Sequence, residues 1–116
     1  MQELIVKQKA EELLYRVYPR LVNFPKAEKF ALCARIKEAF FDVIKFIYLG
    51  NSVKSKRKVY LQEADGHLQA LKVLMKLSRE RRYISKGFFC EIDTCITEIN
   101  RMLSGYIRHA AKVSVC

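Results

Sequence analysis

PKAEKFALCARIKEAFFDVIKFIYLG, residues 25–50, decides the fold. Its apolar residues Leu32, Ile36, Ala39, Phe40, Val43 and Ile47 recur at three and four, the spacing that gathers side chains on one face of an α-helix. Phe30, Cys33, Phe41 and Ile44 widen that stripe, which suggests contact with more than one neighbour. Pro25 suits a first helical turn because its φ is preset, so the helix is expected to begin there. Gly50 and Asn51 supply a stop, since both residues tolerate the left-handed cap.

The same period appears on both sides of this stretch. Ala10, Leu13, Leu14, Val17 and Leu21 mark an earlier helix, which Pro19 should kink or end because it has no amide to donate. Ala64, Leu68, Leu71 and Met75 form the face of a third helix, with Leu61, Leu74 and Ser78 at its margins. Phe88, Ile92, Cys95, Ile96, Ile99, Leu103, Tyr106 and Ala110 form a fourth, starting after Ser85 as N-cap. No sustained two-residue alternation and no Asn-Gly hairpin competes with this reading. Short connections make consecutive helices antiparallel neighbours. The expected fold is all-α: an up-down-up-down four-helix bundle with helices at about 3–22, 25–50, 54–82 and 86–111.

A length of 116 residues suits one domain, spanning 1–116, and a 51% hydrophobic content is enough for a core without staples. Met1 is followed by Gln2, Glu3 and a mixed helical pattern, so no signal peptide is expected. The most apolar run, Ala39 to Leu49, is cut by Asp42 and Lys45 and is too short to cross a bilayer. Cys33, Cys90, Cys95 and Cys116 form no C-x-x-C pair, and Cys33 and Cys95 lie in apolar stripes. They read as reduced thiols of a cytoplasmic protein, Cys116 being the one expected to be exposed.

The ten net positive charges are unevenly placed. Residues 51–82 hold nine cations, Lys54, Lys56, Arg57, Lys58, Lys72, Lys76, Arg79, Arg81 and Arg82, against Glu63, Asp65 and Glu80. On a helical wheel with Lys58 as origin, Lys76 falls at about 0°, Lys54 and Lys72 at about −40° and Arg79 at about −60°. Five cations share one ridge, about a quarter turn from the apolar face, with Asp65 interrupting it at about −20°. Most charged helix faces are simply solvated. Here the acidic residues that would make i,i+4 pairs are largely missing. The basic clusters also sit at both ends of one helix. Unbalanced like charge disfavours the compact state, so a polyanion is the expected ligand. Tyr60, Tyr83 and Tyr106 are not interleaved with these cations, which argues for salt-sensitive backbone contact with little sequence preference.

No catalytic arrangement stands out. His67 and His109 are each alone, and Asp93 with Glu98, or Glu38 with Asp42, read as solvated carboxylates. There is no phosphate loop, nucleophile elbow or H-E-x-x-H motif. The chain reads as a non-enzyme without cofactor or metal.

Several stretches carry a family likeness. Leu21-Val22-Asn23-Phe24-Pro25-Lys26-Ala27-Glu28-Lys29-Phe30-Ala31-Leu32, with Arg35-Ile36-Lys37 after it, resembles the second-helix start of the accessory variability (Avd) proteins of diversity-generating retroelements. Tyr60-Leu61-Gln62-Glu63-Ala64-Asp65-Gly66, Tyr83-Ile84-Ser85-Lys86 and Ile99-Asn100-Arg101-Met102-Leu103-Ser104-Gly105-Tyr106-Ile107 are similar to later family motifs. The resemblance covers about residues 10–110. It implies a four-helix bundle assembled as a homopentameric, barrel-like ring. It also implies partnership with nucleic acid, RNA or DNA, and with a reverse transcriptase in mutagenic cDNA synthesis. A sister group, encoded by intervening sequences in ribosomal RNA genes and of obscure role, shares the fold. Asn100 and Ser104 stand where many relatives carry Gly, and Tyr106 where Trp is common. These departures are of packing scale and leave both memberships open. A third reading, from charge alone, is a scaffold for an acidic protein. If the chain forms a ring, Phe30, Phe41, Ile44 and Tyr48 are the residues expected to meet a neighbouring subunit.

Overall fold

Four amphipathic stripes become four α-helices in the computed structural model, which describes residues 2–115 and the side chains of residues 5–110. They are α1 (Gln2–Val17), α2 (Leu32–Ser52), α3 (Arg57–Glu80) and α4 (Lys86–Val115). No strand occurs among the described residues, and Cys116 lies outside them. The helices pack side by side: α1 on α2 and α4, and α3 on α2 and α4, with α1 and α3 diagonally opposed. Side-chain pairs fix the directions. Arg16 meets Glu91 while Lys9 meets Glu98, so α4 runs backward along α1. Lys72 faces Asp93 while Asp65 faces Asn100, which makes α3 and α4 antiparallel too.

The core follows the apolar period. Leu13 of α1, Ile36, Phe40 and Ile47 of α2, Leu68 and Met75 of α3, and Ile96 and Leu103 of α4 are all buried. Each is excluded from water by the facing helices, and burying one such side chain contributes about 1.5–3 kcal/mol. Ser78 is the one buried polar residue among those described; its hydroxyl donates to the Leu74 carbonyl one turn back.

Several boundaries differ from the sequence expectation, among them the start of the third helix, which lies at Arg57 and not at 54. The first helix ends at Val17, and the chain continues as a 3₁₀ turn over Tyr18–Asn23 with Pro19 near its start. Pro25 lies outside α2, with an extended ψ of 147°, and only a single 3₁₀ turn, Lys26–Glu28, separates it from the break before Leu32. Residues 26–31 offer no apolar face to bury, and Phe30 is 87% exposed, so the packing that stabilises a helix begins at Leu32. Gly50 and Asn51 do not stop α2 with a left-handed cap; the helix runs on to Ser52, and no glycine has positive φ. Gly50 serves a close crossing instead. A Cβ there would lie 2.8 Å from Leu61 Cδ2 and 3.0 Å from Cγ.

Ser85 caps α4 as expected, accepting the Phe88 amide at 3.0 Å. Cys33 is buried, Cys95 half-buried and Cys90 exposed, all as free thiols. Burial pushes the Cys33 thiol above its ordinary pKa.

Candidate nucleic-acid interface

The nine cations of residues 51–82 fall into three situations. Lys54 and Lys56 stand in a 3₁₀ turn, Lys54–Lys56, ahead of α3, so Lys54 is not on the helical ridge where a wheel places it. Both are exposed, as are Lys58 and Lys76 on the helix, and none of these four is ion-paired among the described residues. Lys58 and Lys76 are five full turns apart on one line, about 27 Å along the axis.

The second group is used by the fold. Arg57 opens α3 and turns back, donating from Nε to the Gly50 carbonyl at 2.9 Å and from Nη2 to Asn51 O at 3.3 Å. It thereby closes the carbonyls that a helix C-terminus leaves open. Lys72 Nζ lies 3.7 Å from Asp93 Oδ1, an atom covered from solvent that accepts no hydrogen bond. Asp65, which interrupts the ridge, accepts from the Asn100 amide. The ridge therefore lies on the α4 flank of α3, and part of its charge is met by α4. Arg79 also leans that way, its guanidinium 5.6 Å from the centre of the Phe89 ring.

The third group ends α3. Arg81 lies beside Tyr83, whose phenol raises the already high guanidinium pKa. Arg82 has a φ of 62°, the only non-glycine residue in the left-handed region among those described. The Tyr83 amide donates to Ser78 O and the Arg82 amide to Arg79 O, both at 2.9 Å. This is the Schellman pattern, in which glycine usually occupies the left-handed place. An arginine there costs about 1–2 kcal/mol.

The interface residues expected on α2 also separate. Phe30, Phe41 and Tyr48 are exposed, but Ile44 packs against the core. The apolar face around Phe41 is completed by α1: Tyr15 is 70% exposed, and Leu14, Tyr15, Tyr18, Pro19 and Phe41 line a shallow hollow of about 300 Å³. The sequence reading followed one helix at a time and missed this joint face. It also missed the outer side of α3, where Val59, Val73 and Leu77 are exposed on one line with Gly66 and Ala70. Their recurrence at seven and four residues was the available signal.

His67 is less isolated than its sequence neighbours suggest. It stacks on Phe46 at 5.4 Å, with Asp42 at 3.7 Å and Glu63 at 3.8 Å. No group of three or more His, Cys, Asp or Glu residues suited to a metal ion occurs among the described residues. Asp93, Glu98, Glu38 and Asp42 each face a cation instead of bare solvent. No helix among the described residues is long and apolar enough to cross a membrane.

Comparison with known proteins places this arrangement. No curated protein matches the chain. A crystal structure of a protein of unknown function from the S23 ribosomal protein family, from Bacteroides thetaiotaomicron, superposes with a TM-score of 0.82. It shares 20% sequence identity over 93% of this chain and 99% of its own, which is a likeness of fold. The bAvd-like family, named for the accessory variability determinant, matches residues 4–110, and the chain belongs to that family.

Proposed function

We propose that this protein is a non-catalytic, nucleic-acid-binding accessory subunit of a diversity-generating retroelement, working as a ring of identical subunits beside the reverse transcriptase. Family membership supports the retroelement setting. The observation that carries nucleic-acid binding is the set of exposed lysines Lys54, Lys56, Lys58 and Lys76, none ion-paired among the described residues. Lysines so placed neutralise phosphates and release counterions, giving affinity without sequence preference. The strained Arg82 supports the same reading, since a glycine would cap α3 at lower cost.

Support for the ring comes from two unlike apolar faces. One spans α1 and α2 around Tyr15 and Phe41; the other is the outer line of α3 through Val59, Val73 and Leu77. Because α1 and α3 are diagonally opposed, one face of a subunit is free to meet the other face of the next. Unlike faces give head-to-tail contacts, which close into rings when the rotation permits. Light scattering tests this: a monomer at micromolar concentration removes the ring, pentameric or otherwise. The ribosomal intervening-sequence group shares the fold, and a neighbouring reverse-transcriptase gene with paired template and variable repeats separates the two memberships.

Binding is tested by reversing Lys54, Lys58 and Lys76 to Glu together. Lys72 is left alone, because a carboxylate there would face Asp93. The variant should melt like the parent and lose affinity for single-stranded RNA and DNA in an anisotropy titration at moderate salt. Unchanged binding overturns the assignment of the surface. An intact protein that binds no nucleic acid at all favours the acidic-protein scaffold.

A further inference from the structure

At the end of the bundle away from the α2–α3 turn, the 3₁₀ segment Tyr18–Asn23 and the start of α2 enclose a cleft of about 270 Å³. Its walls are apolar: Tyr18, Leu21, Val22 and Phe24. Its rim carries Lys26, Lys29 and Lys37, and no carboxylate lines it. Residues 18–37 contain one acid, Glu28, against five cations. Glu28 is engaged elsewhere, accepting the Tyr83 hydroxyl at 2.9 Å and the Leu32 amide at 3.4 Å.

We infer that this cleft holds one nucleobase of a single-stranded nucleic acid, with the flanking phosphates on Lys26, Lys29 and Lys37. Charge chooses an anion, and the apolar walls choose an anion with a ring. Phosphates alone need no hollow. Pockets for drug-sized ligands run from about 300 to 1,000 Å³. This one is just below that range, which suits one flat ring better than an acyl chain or a peptide. Lys37 Nζ lies 4.9 Å from the Tyr18 ring centre, so a cation and an aromatic share one wall, the pairing that single-strand binders use. Phe24 forms a firm base, braced by Tyr83 at 5.2 Å between ring centres. Arg81 flanks the same Tyr83, so the cleft lies beside the arginine end of α3 and a strand bound there is led into it. Every base has a π-face, so the cleft adds affinity without selecting sequence.

This rests on the nucleic-acid reading above, and the test separates the two. Anisotropy is measured with a short oligothymidylate and with its abasic analogue of equal length, which keeps the phosphates and lacks the bases. The parent should prefer the intact strand by about tenfold. Tyr18→Ala and Val22→Ser should each erase most of that preference, and replacing Lys26, Lys29 and Lys37 with Gln should weaken both strands. The Lys54, Lys58 and Lys76 reversal should weaken both while keeping the ratio. Equal binding of intact and abasic strands by the parent overturns the cleft and leaves the α3 surface standing; binding of neither overturns the nucleic-acid reading itself. Val22 lies in the cleft but not in the hollow around Tyr15 and Phe41. If Val22→Ser lowers the assembly mass in light scattering and leaves the ratio unchanged, the cleft is a protein contact and the inference fails.

Discussion

The two ends of α3 are both basic, and they use that charge differently. Where α2 turns into α3, Lys54, Lys56 and Lys58 are exposed, while Arg57 is drawn back onto the carbonyls of α2. At the other end, Arg81 and Arg82 flank Tyr83, which touches Phe24 and Glu28 and so borders the lysine-rimmed cleft. One end presents its lysines on and beside a turn; the other offers charge beside a cleft with apolar walls. Counting cations along the sequence treats the ends as alike. What separates them is which side chains the fold has already engaged.

The largest expected effect contrasts the ends directly. Replacing Lys54, Lys56 and Lys58 with Gln, or Lys26, Lys29 and Lys37 with Gln, should each lower affinity for single-stranded nucleic acid by about 10–100-fold at physiological salt. Each set should flatten the plot of log affinity against log salt by about two units, since a phosphate contact contributes about 0.7 for single strands. Only the second set should also shift the intact-to-abasic ratio. If both sets shift it equally, the ends do not differ. Along the ridge between them, Lys76→Gln should weaken binding more than Lys72→Gln, because Lys72 already faces Asp93. Asp93→Asn should release Lys72 and raise affinity a few-fold.

Next comes stability, where the arginines closing the two ends have opposite signs. Arg57→Ala removes two charge-assisted hydrogen bonds to the end of α2 and should cost about 1–3 kcal/mol in urea denaturation. The neighbouring Gly50→Ala should also destabilise, by about 1 kcal/mol. The added methyl meets the buried Leu61, and overpacking outweighs the gain in helix propensity. Gly66, with nothing within 4 Å of an added Cβ, should respond the other way by about 0.5–1 kcal/mol.

The four helices were legible in the sequence because each has its own periodic face, and Leu32, Ile36, Phe40, Leu68, Met75, Ile96 and Leu103 are buried as their spacing requires. What was not legible depends on contacts between helices. Lys72 reads as a free cation until the register of α3 on α4 brings Asp93 to it. Gly50 reads as a stop until Leu61 arrives to fill the space a side chain would take. Pro25 reads as a helix start, yet residues 26–31 have no apolar face to hold a helix down. Around it, residues 18–37 interleave aromatics and lysines, Tyr18, Phe24, Lys26, Lys29 and Lys37, outside the third helix where the cations are densest.

The smallest effect is the most specific to the arginine end. Arg82 holds a left-handed backbone in a cap that glycine would adopt without strain. Arg82→Gly therefore keeps the cap hydrogen bonds and removes the clash of Cβ, and it should stabilise the bundle by about 1 kcal/mol, less the extra entropy glycine brings to the unfolded chain. If the side chain contacts phosphate, the same substitution should lower affinity several-fold and reduce the salt slope by about 0.7. The two readouts thus move in opposite directions, one up and one down, for a single change. A gain in stability with unchanged affinity would mean that the strained arginine contributes nothing to binding and that the contrast between the ends rests on the cleft alone. A loss of stability would mean that the guanidinium holds the turn itself, as Arg57 does at the opposite end.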